Sequence, residues 1–368
     1  MTLTDTGILT IALDAMGGDT APGMVVDGAA IICGQDAQVR FVFFGNEQAL
    51  LPLIAGRPSL RGRCELRHTD EVVSAQDKPS QIVRRGRGTS MWKAIAMVKD
   101  GEASVAVSAG NTGALMAMSV LQLRTMDGIY RPAIASTWPG QARQKVVLDL
   151  GANLECDEDS LVQFAVLGAA FARAVLGIPR PRVGLLNVGE EEQKGHEYVR
   201  MAARKLRLAP QDDMHFIGFV EGTDLGADTA DVIVTDGFTG NVALKTGEGS
   251  VRLIFQVLGE AMRSSLLARI GYLFARGAFR NLRDKFDPRL LNGGVFLGLN
   301  GLVIKSHGGS DGVGFARAIK IGIEMARSNL VARIAIDLQN YDKTLNAASE
   351  QPAKNPDINS VGAGVNGT

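Results

Sequence analysis

The sequence predicts a mainly parallel, doubly wound α/β sheet, on three observations. Short apolar runs alternate with helix-like stretches along most of the chain. The runs show little strict apolar/polar alternation, and six of them end in a glycine-rich turn. Strands buried on both faces of a parallel sheet read as continuous apolar runs, and a βαβα order implies such a sheet. At 368 residues there is length for one large α/β unit or for two lobes.

In chain order, strand-like runs fall at 8–13, 39–44, 104–108, 133–137, 146–150, 182–188, 214–220, 232–235 and 302–305. Helical stretches lie between them at 25–33, 91–99, 115–125, 159–176, 197–206 and 241–258. The stretch 159–176 is apolar nearly all round (Leu161, Phe164, Val166, Leu167, Phe171, Val175), which fits a central buried helix or a subunit contact better than a ligand site. One α/β unit is expected over 8–345, whole or as two lobes around one crevice. From 346 the chain is polar, with Pro, Gly, Ser and Asn, and 346–368 is expected to be a disordered tail.

Composition excludes several classes. The 39 basic and 39 acidic residues cancel, so no bulk attraction to nucleic acid is expected and none is assigned. Cys33, Cys64 and Cys156 lie far apart without a CxxC, against a disulfide framework and for a reducing compartment. No signal peptide and no run of the ~18–20 apolar residues of a spanning helix is read, so the expected location is cytoplasmic.

The glycine turns are Asp14-Ala-Met-Gly-Gly-Asp19, Ser108-Ala-Gly-Asn-Thr-Gly113, Leu150-Gly-Ala-Asn153, Asn187-Val-Gly-Glu-Glu-Glu-Gln-Lys-Gly195, Thr235-Asp-Gly-Phe-Thr-Gly-Asn241 and Ser306-His-Gly-Gly-Ser-Asp-Gly312. Ligands of open α/β sheets bind beyond the carboxyl ends of the strands, so six such loops on one edge would line one crevice. Glycine lets backbone approach a ligand, and N–H groups opening a helix favour an anion. Asn111, Asn153, Asn187 and Asn241 add uncharged donors.

Familiar signatures fail. There is no GxxxxGK[ST], and the nearest GxGxxG, at Gly312, has Arg317 in its third glycine position. Gly308-Gly-Ser310-Asp-Gly312 matches a nucleophile elbow, but the last histidine, His307, precedes the serine, so a phosphate-accommodating turn is the better reading. The histidines are scattered, no cofactor is called for, and Asp14 and Asp19 fit loop bracing better than a metal site. In 187–195, three carboxylates precede Lys194; they are either a solvated first helical turn or a holder for an anion-binding ammonium.

The segment 263–286 differs in kind. Leu266, Leu267, Ile270, Leu273 and Phe274 form one helical stripe flanked by Arg269, Arg276, Arg280 and Arg283, with Asp284 the only acid. It could lie on a membrane surface with arginines reaching lipid phosphates, or pack as a dimer helix.

Together these loops resemble the bacterial phosphate acyltransferases of phospholipid synthesis, the acyl-carrier-protein:phosphate transacylases of the PlsX type. The likeness runs from about residue 8 to about 338 and is carried by Leu13-Asp-Ala-Met-Gly-Gly-Asp19, the block from Ser108 to Met116, Leu148-Asp-Leu-Gly-Ala-Asn153, Leu186-Asn-Val-Gly-Glu-Glu191 with Lys194, the block from Asp236 to Lys245, and the block from Lys305 to Ser310. It implies a fold like the isocitrate/isopropylmalate dehydrogenases and phosphotransacetylases, a homodimer, and a peripheral link to the inner face of the membrane. It also implies acyl transfer from acyl carrier protein to inorganic phosphate, with a glycerol-3-phosphate acyltransferase downstream.

On that reading Lys194, Asn111, Asn241, His307 and Lys305 are the catalytic candidates. Lys194 and the 108–113 and 236–241 loops would bind phosphate, Asn111 and Asn241 would donate to phosphate or the oxyanion, and His307 or Lys305 would assist the intermediate or the departing thiolate. Asp14, Gly17, Gly18, Ser108, Gly110, Thr112, Gly113, Asn153, Asn187, Glu190, Asp236, Gly237, Gly240, Gly308, Gly309 and Ser310 are expected to contact substrate. Rival readings are a short-chain phosphotransacylase acting on acyl-coenzyme A, a dehydrogenase of the related fold, and a non-enzymatic membrane scaffold.

Overall fold

The computed structural model describes residues 7–285 and 292–350. The strands are β1 (Leu9–Asp14), β2 (Val39–Gly45), β3 (Cys64–His68), β4 (Val105–Ser108), β5 (Ala133–Pro139), β6 (Gln144–Leu148), β7 (Arg182–Leu186), β8 (His215–Val220), β9 (Val232–Val234), β10 (Gly294–Leu297) and β11 (Leu302–Lys305). The helices are α1 (Gly23–Gln35), α2 (Glu47–Ala55), α3 (Pro79–Arg85), α4 (Ser90–Lys99), α5 (Thr112–Leu123), α6 (Glu158–Leu176), α7 (Glu197–Leu208), α8 (Gly237–Arg263), α9 (Leu266–Lys285), α10 (Gly312–Arg327) and α11 (Leu330–Glu350).

All strands join one sheet, in the order β3-β2-β1-β4-β11-β10-β5-β6-β9-β7-β8. Successive residues of a strand enter opposite cores. In β2, Val39, Phe41 and Phe43 face the layer of α1, α6, α7, α10 and α11, while Val42 and Phe44 face that of α3, α4 and α5. Burial on both faces is why the runs carry so little polar alternation. Most pairings are parallel, but β11–β10, β10–β5 and β5–β6 are antiparallel. Three reversals in succession leave β6, β9, β7 and β8 running opposite to β1, β4 and β11.

Helix α6 is long and apolar enough to cross a membrane, but two thirds of its apolar window is buried, by the sheet, α7 and α11. The central-helix expectation for 159–176 therefore describes it. Helix α11 continues to Glu350, so 346–350 are helical where a disordered tail was expected; 351–368 lie outside the described residues.

Candidate active site

The reversal of strand direction divides the glycine loops. The turns after β1, β4 and β11 leave one edge of the sheet; those after β6, β9 and β7 leave the other. Each trio follows three adjacent strands. Six loops on one edge is thus corrected to two clusters of three, because β10 and β5 insert an odd number of antiparallel pairings between them.

In the first cluster Asp14 is 1% exposed. Its Oδ1 accepts from Ser90 Oγ and its Oδ2 from Ser108 Oγ, both at 2.6 Å, and Ser108 Oγ accepts from Gly110 N at 3.0 Å. Burial pushes the Asp14 carboxyl above its usual range, against the hydroxyl bonds. Lys305 ends β11 beside Ser108; its ammonium donates to Ser306 O and, at 3.4 Å, to Ala109 O. Burial draws it down to about 8, opposed by Asp14 and Asp19. Asn292 gathers the third loop, Nδ2 donating to Ser306 Oγ (2.9 Å) and Ser310 Oγ (3.0 Å) and Oδ1 accepting from His307 N (2.6 Å). His307 is exposed, with Nδ1 accepting from Gly309 N at 3.2 Å.

The second cluster is built on Asp149, which is fully buried. Its carboxylate accepts from the N–H groups of Ile134, Gly151, Ala152 and Asn153 and from Asn153 Nδ2, over 2.7–3.1 Å. Burial raises its pKa and those donors oppose the rise. Asp236 caps α8, accepting from Thr239 N at 2.8 Å, and Gly237 N donates to Asn153 O at 2.7 Å. Asn187 closes its own loop by donating to Gly189 O (3.0 Å) and Lys194 O (3.1 Å). Lys194 Nζ pairs with Glu191 Oε1 at 3.0 Å, both half exposed. Glu191 is held below its usual range by its own backbone N–H and by Lys194. Asn241, half-buried in the first turns of α8, packs over Gly151. Burial and Asp149 push the Cys156 thiol up to about 12, so it stays protonated at neutral pH and offers no thiolate nucleophile.

These features suit anion binding, and comparison with known proteins gives the family. The model of the family described as "Fatty acid synthesis protein" matches residues 9–333. A phosphate acyltransferase from Parvibaculum lavamentivorans is 55% identical over 90% of this chain and 91% of its own. One from Rhizobium meliloti is 52% identical over 91% and 96%. The chain belongs to the phosphate acyltransferase family. It is an acyltransferase. Among solved structures, a phosphotransacetylase from Streptococcus pyogenes shares the fold, with TM-score 0.59 and 18% identity over 88% of this chain and 95% of that one.

Within this phosphate acyltransferase the expected catalytic residues part company. Lys194 and Asn241 stand in the second cluster, on the loop after β7 and in the early turns of α8 after the neighbouring β9; Asn111, Lys305 and His307 stand in the first. Asn111 is not a free donor: its Oδ1 caps α5 through Ala114 N, and its Nδ2 donates to Ala75 O and Asp77 O. Asn153 is likewise spent on Asp149 and Pro132 O. Of the four loop asparagines, Asn241 alone makes no side-chain hydrogen bond among the described residues. Gly17 and Gly110 serve loop packing, since a Cβ on Gly17 would lie 2.7 Å from Gly110 N. Thr112, Gly113 and Glu190 are exposed, as is Gly309.

Sequence reasoning missed Ser90, Asn292 and Tyr198, whose hydroxyl donates to Asp236 at 3.3 Å. Asn292 had a signal, the Asn-Gly-Gly before β10. Ser90 and Tyr198 had none, because each reaches a loop distant in sequence.

The amphipathic segment forms α9, antiparallel in sequence to the outer part of α8 across a short turn where Ser265 Oγ accepts from Ala268 N. Leu266, Leu267, Leu273 and Phe274 are 66–87% exposed, Ile270 47%, and Arg276 and Arg280 are exposed. Phe286 lies outside the described residues, as do the side chains of Arg283 and Asp284.

Proposed function

We propose that this enzyme transfers a fatty acyl group from the thioester of acyl carrier protein to inorganic phosphate, releasing acyl phosphate and the carrier thiol. The observation that carries the reading is that Lys194, held by Glu191, and Asn241, whose amide is unbonded among the described residues, follow the neighbouring strands β7 and β9. A phosphate oxygen attacks the thioester carbonyl, the carbonyl oxygen gains charge, and collapse of the tetrahedral intermediate breaks the C–S bond. The thiolate leaves and takes a proton from solvent. Phosphate is itself the nucleophile and a thiolate leaves readily, so the protein's work is positioning and charge stabilisation. Lys194 binds phosphate, and the Asn241 amide donates to phosphate or the oxyanion. Asp149, Asn153, Asn187 and Asp236 hold the loops in place. Lys305 and Asn111 brace the first cluster, and the exposed imidazole of His307 takes no part in the steps above.

We assign the exposed stripe of α9, with the arginines beside it, to an anionic membrane surface, and on that reading the enzyme works peripherally at the inner face of the cell membrane; the exposure of Leu266, Leu267, Leu273 and Phe274 supports the contact. A homodimer would present two such stripes. Delivery of acyl phosphate to a glycerol-3-phosphate acyltransferase is the step that follows.

The test incubates pure enzyme with acyl-acyl carrier protein and phosphate and follows acyl phosphate directly. Formation from that donor in preference to short-chain acyl-coenzyme A supports the reading. Preference for the coenzyme A donor makes the enzyme a short-chain phosphotransacylase, and no product from either refutes the acyl phosphate reading.

A further inference from the structure

The two donors of the proposed chemistry stand on separate pieces of chain, and one side chain ties those pieces together. Tyr198 lies in the first turn of α7, directly after the Lys194 loop. Its hydroxyl donates to Asp236 Oδ2 at 3.3 Å. Asp236 is 9% exposed and caps α8, with Oδ1 accepting from Thr239 N and Oδ2 from Thr239 Oγ1, both at 2.8 Å. Its carbonyl accepts from Gly240 N, and Asn241 is the next residue. Among the described residues, no other hydrogen bond or ion pair joins 187–208, which carries Lys194, to 235–263, which carries Asn241. The Tyr198 ring is half-buried against the core and stacked on His196, centroids 5.5 Å apart and planes 12° apart, so its direction is set. Burial and the Asp236 carboxylate push the phenol up to about 12, so it keeps its proton and remains a donor at neutral pH.

The geometry points to Tyr198 as a positioning residue for acyl transfer: through Asp236 it sets the first turns of α8, and with them the Asn241 amide, against Lys194; this rests on the roles proposed above for those two donors. Packing does not account for the hydroxyl, because a phenylalanine ring would stack on His196 and meet the core equally well. Nor does capping, since Thr239 already gives Asp236 two donors from within α8. The third donor comes from another element, so it bears on where α8 begins rather than on whether it is capped. The pairing of β7 with β9 fixes only the bases of the two loops. Beyond it, 190–194 are exposed, and the 187–195 loop closes on itself through Asn187. Two donors that serve one developing charge must keep their spacing, and a small loss of alignment costs rate. Tyr198 touches neither phosphate nor thioester in the proposed chemistry, so phosphate binding at Lys194 is independent of its hydroxyl.

The test is steady-state kinetics of the full-length enzyme carrying Tyr198→Phe, alone and combined with Asn241→Ala, with acyl-acyl carrier protein and phosphate. Tyr198→Phe keeps the ring, and Asp236 keeps its bonds to Thr239, so circular dichroism and melting temperature should match the parent. Its kcat should fall about tenfold while KM for phosphate stays within about twofold. In the Asn241→Ala background the same change should cost less than about twofold, because no amide is left to misplace. His196→Ala removes the stacked ring but spares the hydroxyl, and should keep kcat within about twofold of the parent. Parental kcat in Tyr198→Phe overturns the role. So does a full loss that persists without the Asn241 amide, or a loss carried by KM for phosphate. Equal impairment by His196→Ala makes the effect one of ring packing and overturns it too. A lowered melting temperature leaves the cycle readable, since Tyr198→Phe then weakens the fold in both backgrounds and only positioning removes the kcat loss from one. Parental rates in both Lys194→Ala and Asn241→Ala refute the chemistry beneath the inference; crippled rates in both, with parental Tyr198→Phe, refute the inference alone.

Discussion

Gly240→Ala should damage catalysis far more than its single methyl suggests. A Cβ at 240 would lie 1.9 Å from Asp149 O and 3.0 Å from Thr235 Cγ2, with backbone on the near side. Relief requires α8 to back away from the 149–153 loop by about 1 Å, since carbon and oxygen essentially never come within 3.0 Å. Asp149 cannot yield, because its carboxylate is fixed by Ile134, Gly151, Ala152 and Asn153. The displaced first turn carries Asn241. A misplacement of about 1 Å costs on the order of 100-fold, and forcing a methyl into a packed contact about 1–3 kcal/mol of stability. Gly249→Ala is the control, in the same helix with nothing within 4 Å of its would-be Cβ; it should keep full activity and gain about 0.5–1 kcal/mol from helix propensity. Both variants go through urea denaturation and kcat/KM for phosphate. A Gly240→Ala enzyme within twofold of parent kcat/KM, or a Gly249→Ala enzyme equally impaired, refutes the close-approach reasoning.

Lys194→Ala should lose about 1.5–3 kcal/mol of transition-state stabilisation, roughly 10- to 150-fold in kcat/KM for phosphate, at unchanged melting temperature; parental kinetics would remove Lys194 from the site. Acyl transfer should persist in excess EDTA without nucleotide, and activity abolished by chelation and restored by magnesium would contradict the mechanism. Burial raises Asp337 to about 6 despite Arg173, which it shares with Asp213, so the folded state holds that proton where the unfolded chain, near 3.8, has lost it. Its contribution is therefore full below 3.8 and declines as pH rises through about 6; the stability difference between parent and Asp337→Asn should shrink or reverse over that window, and a difference that grows with pH would contradict it. Replacing Leu273 and Phe274 by Ser should release the enzyme from anionic vesicles while acyl transfer to phosphate continues, and retention on vesicles with breakdown to monomers would make α9 an interface helix instead.

The strands that the sequence made legible are those buried on both faces, where nothing but an apolar run fits. Strand β3 escaped notice because it closes the sheet edge, carrying Glu65 and Arg67 outward, with Arg67 paired to Glu65 and Glu102. Strand β10, Gly294–Leu297, escaped notice between two glycines, but its two antiparallel pairings cancel, and the β5–β6 hairpin is what leaves the sheet reversed. Both strands of that hairpin were read, but their antiparallel pairing was not, and that is why six loops read as lining a single edge. The candidate site was legible as residue types but not as roles. Asparagine after a strand signals either a ligand donor or a helix cap, and only geometry shows that Asn111 caps α5 while Asn153 and Asn187 tie loops.

The same geometry explains how a glycine-rich surface can be specific. Most polar groups around the two clusters are already bonded to one another, so loop flexibility is suppressed and few donors remain to choose a ligand. Each remaining donor stands on a fixed frame: Lys194 on a loop closed by Asn187, Asn241 on a helix pinned through Gly237 and Gly240 to the Asp149 turn. Electrostatic stabilisation is most effective when donors need no reorganisation as charge develops. Helix α8 then extends this frame outward, from Asn241 in its first turns to the turn into α9 at its far end, 27 residues and about 40 Å in all. A single unbroken helix therefore joins the donor of the proposed chemistry to the apolar end of the molecule. A substitution that tilts α8 at Gly240 should move both, whereas one at Leu273 and Phe274 should touch only the second.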